Sequence, residues 1–300
     1  MILNSDTINV IFRLMRIKGI GSVQTNKFLL SIQNSNVAEI ELQIRKSLNS
    51  SQIKEFENDE NITDGLCSKF PIHFISLLDE SYPNDLKRLL KTSSPPVLSY
   101  IGNIDLLKKQ KVAFSGSRKV SEKGINITKD CVEQLSKKGI TIVSGYAAGV
   151  DHSAHYTALE QGGTTIIILP EGINNFKIKK ELKYVWDWDR VLIISEFFPS
   201  DKWMASRAMQ RNNTIIGLSD IVVVIEAGET GGSLDAGLRT MALGKYLFVP
   251  LYGIVPDSAI GNSSLIQKGA FSIKMEKDSQ RANLTKLFEL LKISNKYELF

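Results

Sequence analysis

One stretch constrains the chain more than any other: KVAFSGSRKVSEKGINITKDCVEQLSKKGITIVSGYAAGVDHSAH, from Lys111 to His155. Lys111 to Ser115 is a short, largely apolar run that stops at Gly116-Ser117-Arg118, the pattern of a strand entering a tight turn. Ser121 to Lys138 then places Ile125, Ile127, Cys131, Val132 and Leu135 close to helical spacing. It closes on Lys137-Lys138-Gly139, the cations and glycine that end a helix. A second apolar strand, Ile140 to Val143, enters another glycine turn at Ser144-Gly145, and a second helix begins near Gly149. Strand, turn and helix, repeated with glycines at the carboxyl ends of the strands, predict a parallel sheet wrapped by helices on both faces. Such sheets place their ligands at those strand ends.

The turns have a chemistry of their own. Glycine lets backbone amides approach an anion closely, and the helix that follows adds unpaired amides and the positive end of its dipole. Arg118 contributes a planar, permanently charged fork. One such turn reads equally well as ordinary α/β punctuation; two at successive strand ends favour a phosphate-bearing ligand. A third follows Ile221 to Ile225, a β-branched strand, at Glu226-Ala227-Gly228-Glu229-Thr230-Gly231-Gly232-Ser233, before a helix from Leu234 to Leu243. Further strands are expected at Ile72–Leu78, Val97–Tyr100, Thr164–Leu169, Val191–Ser195 and Tyr246–Val249, with a last short helix opening at Gly261.

Two other features bear on anions. Arg207 and Arg211 stand one helical turn apart and share a face, beside Asn212. Trp203 and Met204 precede them; an aromatic ring beside arginines suits stacked bases, and a buried packing role for Trp203 stays equally open. Lys177, Lys180 and Lys183 recur every third residue and would form one basic face on a helix, with Lys179 close by.

Residues 1–65 are helical in pattern. Within them Ile17-Lys18-Gly19-Ile20-Gly21 has the form of a helix-hairpin-helix turn, which tracks a nucleic-acid backbone, or of a plain helix corner. Asn61 to Ser68, polar and glycine-containing, is the candidate boundary to a second domain over 66–275, and 276–300 is a charged tail with one amphipathic helix around Leu284 to Leu291. The chain has 300 residues, 43% of them hydrophobic and 23% charged, the balance of a globular protein that buries a sizeable core. Asp6 and Arg13 interrupt the apolar start and no small-residue cleavage site follows, so no secretory signal is read. No apolar run reaches the ~20 residues that cross a bilayer, so no membrane role is expected. Cys67 and Cys131 fit neither metal spacing nor a disulfide framework, which suits a cytoplasmic setting. A net charge of +5 permits nucleic acid without demanding it.

In this light the stretch resembles the DNA-processing protein A family (DprA, also called Smf), whose pattern runs GSR, then SGxARGIDxxAH, then further glycine turns. Upstream, Asp79-Glu80-Ser81-Tyr82-Pro83 and Pro95 to Asn103 are similar to its entry segment. Downstream, Arg211 to Ser219 resembles its RNRIIAGLS run, and Glu226-Ala227 with Gly232-Ser233-Leu234 resembles EAxxxSGSL. The resemblance spans roughly Ile72 to Phe271 and implies a Rossmann-like, doubly wound, mostly parallel sheet preceded by a small helical domain. It implies a homodimer that binds single-stranded DNA and assists a RecA-type recombinase in recombination or natural transformation, with no catalytic residue, metal or cofactor. Phosphate contact then falls to Gly116, Ser117, Arg118, Ser144, Gly145, Gly149, Arg207, Arg211 and Asn212, with Gly231, Gly232 and Ser233 as a second backbone cradle. Ala148, Asn213, Ala208 and Met209 depart from the family pattern, and most of these changes remove a charge or a stacking surface.

Other chemistries have less behind them. Asp151, His152 and His155 lack a third or fourth partner of the kind a zinc site uses, and the resemblance makes Asp151 and His155 helix-cap and packing residues. No serine sits in a Gly-x-Ser-x-Gly elbow. The alternative is a nucleotide-sensing or nucleotide-hydrolysing domain like the LOG phosphoribohydrolases of the same superfamily, in a bacterial defence system. Their PGGxGTxxE motif carries a catalytic Glu; here Gly231-Gly232-Ser233 leads to Leu238 at that position.

Overall fold

The structure, a computed structural model, describes residues 5–31, 37–57, 69–276, 279 and 281–292. The candidate boundary Asn61–Ser68, with Cys67, and the tail beyond 292 lie outside the described residues. Four helices come first: α1 Ser5–Arg16, α2 Ser22–Ser31, α3 Val37–Ser47 and α4 Ser50–Glu57. Then follow β1 His73–Ser76, α5 Asn84–Leu90, β2 Val97–Gly102, β3 Lys111–Ser115, α6 Glu122–Lys137, β4 Thr141–Ser144, α7 Val150–Glu160, β5 Thr165–Ile168 and β6 Val191–Ser195. The chain continues with α8 Ala205–Leu218, β7 Ile221–Val224, α9 Gly232–Ala242, β8 Tyr246–Pro250, α10 Ile260–Gln267, β9 Phe271–Ile273 and α11 Thr285–Leu290.

The strands form one nine-stranded sheet in the order β1-β2-β6-β5-β4-β3-β7-β8-β9. β1 pairs antiparallel with β2, while β3 pairs parallel with β4 and β7, β4 with β5, β7 with β8 and β8 with β9. The α/β, mostly parallel sheet expected from the sequence is therefore present. β3 sits at the point where strand order reverses: β4 lies on one side of it and β7 on the other. The crevice outside the carboxyl ends of β3 and β7 is the topological switch point, where open α/β sheets hold ligands.

The chain divides into two compact units, residues 1–101, 169–177 and 194–217, and residues 102–168, 178–193 and 218–300. In the first, Ile8, Ile11, Phe12, Leu29, Ile40, Ile44 and Phe56 are buried together, and Phe12 packs edge-on to Phe74 at 5.8 Å. Arg13 ties α1 to the end of α4 by donating from Nε and Nη2 to the Phe56 carbonyl at 2.9 and 2.7 Å. The Ile17–Gly21 stretch is indeed a turn between two helices, with Gly19 at φ 86 and the Lys18 amide bound to Glu55 Oε2 at 2.9 Å.

In the second unit β3 is buried from Lys111 to Phe114, and α6 lays Ile127, Cys131, Val132 and Leu135 against Val112, Phe114 and Ile142. Ser121 caps α6 by accepting from the Gly124 amide at 3.1 Å, and Gly139, at φ 72, ends the connection into β4. Some features were not in the sequence expectations, α5 and β9 among them. β9 is only three residues long, too short to show a period of its own. The basic helix over Lys177–Lys183 does not form: Lys179 is extended (φ −60, ψ 144) and only the turn Lys180–Leu182 follows. The backbone there is held by tertiary contacts rather than by its own ladder, since the Lys179 amide donates to Tyr146 Oη at 3.0 Å.

Candidate nucleic-acid interface

The turns after β3 and β4 interlock through their glycines. Gly149, immediately before α7, has φ 77, and a Cβ there would overlap the Ser117 carbonyl oxygen and lie 2.8 Å from that of Arg118. A Cβ on Gly116 would overlap the Val150 side chain, and the Val150 amide donates to Ser117 O at 3.4 Å. Ser117 turns its hydroxyl back to accept from the Lys119 amide at 3.0 Å. This close backbone packing fixes the turn that carries Arg118, and both Arg118 and Lys119 are exposed.

The second turn is held from beneath. Ser144 is fully buried and its hydroxyl donates to Phe114 O at 2.7 Å, so its side chain serves the sheet. Asp151 accepts from the Ala147 amide at 3.1 Å, and Lys179 Nζ donates to the carbonyls of Tyr146 and Ala147 at 2.7 and 3.1 Å. His155 is fully buried, with Nε2 2.6 Å from Gly145 O and Nδ1 2.7 Å from Thr165 Oγ1. A carbonyl only accepts, so Nε2 carries the proton and donates to Gly145. Burial pushes the imidazole down to about 4, against the pull of the Gly145 hydrogen bond and the Asp151 charge. Asp151 and His155 are thus committed to the glycine turn they flank.

That histidine makes stability pH-dependent. Between the ordinary value near 6.5 and the folded value near 4, the unfolded chain takes up a proton that the folded chain refuses, so stability falls as pH falls through this window. The loss amounts to about 3 kcal/mol for a shift of this size. In urea titrations at pH 7 and pH 4, the stability advantage of the native chain over His155→Gln is expected to shrink by that amount; a constant advantage would show that His155 does not titrate this way.

The third turn is open. Gly231, at φ 104, precedes α9 with no side-chain cap, a Cβ there would meet nothing within 4 Å, and Gly231 and Gly232 are exposed. Its base is fixed by Asn262, whose Oδ1 accepts from the Ala227 amide at 2.8 Å and whose Nδ2 donates to Ile225 O at 2.8 Å. Gly116, Ser117, Arg118, Ser144, Gly145, Gly149, Gly231, Gly232 and Ser233 all belong to this second unit, between the carboxyl ends of β3, β4 and β7 and the first turns of the helices that follow.

Arg207, Arg211 and Asn212 lie on α8, in the first unit. The two arginines share a helix face as their spacing requires, yet their surroundings differ. Arg207 pairs with Asp201 at 2.9 Å and lies 5.7 Å over the Phe197 ring. Arg211 is only 6% exposed and its charge acts on Glu196. Glu196 is also buried and accepts from Gln210 Nε2 at 2.7 Å and from the Thr214 hydroxyl. Burial raises its carboxyl, while those hydrogen bonds and Arg211 pull it back. Trp203 and Met204 are half exposed, at 48% and 50%.

Fold and turns together define a Rossmann-like α/β protein with glycine-lined loops at the carboxyl ends of its central strands. A family model for DNA recombination-mediator protein A matches residues 73–283, and the chain belongs to that family. It is 36% identical over 217 residues to the DNA processing protein DprA of Streptococcus pneumoniae, covering 72% of this chain and 75% of that one. It is 30% identical over 239 residues to the Smf protein of Borreliella burgdorferi, covering 78% and 72%. Among solved structures, the X-ray structure of the Streptococcus pneumoniae protein superposes with a TM-score of 0.75 at 30% identity, over 91% of this chain and 95% of that one. A structure of DNA processing protein A from Helicobacter pylori, which concerns its single-stranded DNA binding mode, matches with a TM-score of 0.58 at 26% identity, over 68% and 91%.

Proposed function

We propose that this chain binds single-stranded DNA through its strand-end glycine turns and, as a cytoplasmic homodimer, assists a RecA-type recombinase in recombination or transformation. The observation that carries the reading is the exposed Arg118 on a turn whose backbone is packed against Gly149, a cation carried at the carboxyl end of β3. Gly231, Gly232 and Ser233 supply a second backbone cradle at the start of α9. Contacts of this kind go to phosphates and carry no base information. Fluorescence anisotropy with labelled oligonucleotides is therefore expected to show saturable binding of single strands of different sequence with similar affinity. Binding restricted to one mononucleotide would defeat the reading.

The homodimer rests on an apolar surface of the second unit. Leu238 on α9, Leu251, Ile254 and Val255 after β8, and Ile260 on α10 are exposed, Ile254 to 88%. Apolar side chains gathered on neighbouring elements mark an association surface more often than chance. Ile254→Asp combined with Ile260→Asp is expected to turn a dimer into a monomer in sedimentation velocity runs; an unchanged sedimentation coefficient would place any dimer contact elsewhere.

A further inference from the structure

The switch-point crevice contains a carboxylate of the protein itself. Glu226, two residues beyond β7, is fully buried. Its Oε2 accepts from the Ser121 amide at 2.9 Å and from Ser258 Oγ at 2.6 Å. Its Oε1 accepts from the Ser121 hydroxyl and from Tyr252 Oη at 3.2 Å. Ser121 is the N-cap of the 16-residue α6, so the carboxylate lies at the positive end of that helix. A Cβ on Gly124, in the first turn of α6, would overlap Glu226 Oε1, so no space is left between the carboxylate and the helix. The Glu226 carbonyl also accepts from the Ser117 amide at 2.9 Å.

In a nucleotide-binding Rossmann fold, the first helix N-terminus beside the switch point receives a phosphate. Here the Ser121 amide and hydroxyl are taken by Glu226, and the Gly124 amide by the Ser121 hydroxyl. We propose that Glu226 is a built-in anion that fills the phosphate position at the N-terminus of α6 and closes this crevice to mononucleotides. It therefore determines specificity: phosphates of a ligand are confined to the outer surface of the turns, as a strand's backbone is and a free nucleotide's need not be. The inference concerns the crevice alone and stands whether or not the chain binds DNA.

Removing the carboxylate should leave four donors around a gap of matching size. Thermal unfolding of the full chain and of Glu226→Ala is to be followed in formate, inorganic phosphate and chloride at equal ionic strength. The expected result is that Glu226→Ala melts several degrees below the native chain in chloride and regains much of that difference, saturably, in formate or phosphate. A gap between the two proteins that is the same in all three salts overturns the proposal. Glu226→Gln keeps the volume and serves if the alanine variant does not fold. It is expected to melt lower than the native chain and to show no formate rescue, because the space stays filled; an unchanged melting temperature overturns the proposal too.

Discussion

Gly149→Ala is expected to cost about 3 kcal/mol of stability and to loosen the turn that carries Arg118. Two effects add. At φ 77 the backbone lies in the left-handed region, where a Cβ costs about 1 kcal/mol or more. The added methyl would also overlap the Ser117 carbonyl oxygen and press on that of Arg118, and backbone atoms in a packed turn cannot step aside as a flexible side chain can. Overpacking of this sort costs about 1–3 kcal/mol. Gly231 provides the control. It too has positive φ, at 104, but a Cβ there meets open space, so Gly231→Ala should pay the conformational term alone. Urea titration of both variants checks the difference, and equal losses would mean that the contact between the two turns carries no weight.

Arg211→Ala should be the other large loss, of about 2–4 kcal/mol, the cost of deleting a buried side chain whose charge acts on the buried Glu196 carboxyl. The arginine is 6% exposed, and the Glu196 carboxyl beside it is equally buried, with Gln210 and Thr214 as its hydrogen-bond donors. Without the guanidinium the carboxyl is pushed further up by its burial, so Glu196→Gln in the Arg211→Ala background should recover part of the loss. Differential scanning calorimetry of the two single variants and the double variant tests this. Additive losses would separate the two residues. Arg118→Ala makes the contrast, since an exposed side chain leaves stability within about 0.5 kcal/mol on removal.

The different outcomes for arginines of similar appearance show where the sequence stops being informative. Strands buried on both faces read as continuous apolar runs, and so β3 and β6 are found at the residues their composition marks. Helix starts were legible for an equally local reason at Ser121, which caps α6, and at Gly149 before α7, whereas α9 begins at Gly232, two residues ahead of the expected Leu234. The spacing of Arg207 and Arg211 gives their shared face but not what that face meets. Glu196, which decides the matter for Arg211, sits across the Phe197–Met204 connection. Glu226 is less legible still. Its partners Ser121, Tyr252 and Ser258 lie 105, 26 and 32 residues away and meet only when β3, β7 and β8 are side by side. Lys179 failed as a helical residue because Tyr146, a distant neighbour in sequence, claims its amide.

The central claim is that Arg118 and the glycine turns hold the backbone of a single DNA strand. It is tested most directly by the salt dependence of oligonucleotide affinity for the native chain and for Arg118→Ala. A polyanion bound by its phosphates gives a log-log slope of roughly −0.7 per phosphate neutralised. The variant should therefore lose roughly 0.7 from the slope and about tenfold in affinity, the size of one charge-assisted hydrogen bond, with its melting temperature unchanged. Identical slopes and affinities for the two proteins would contradict the account.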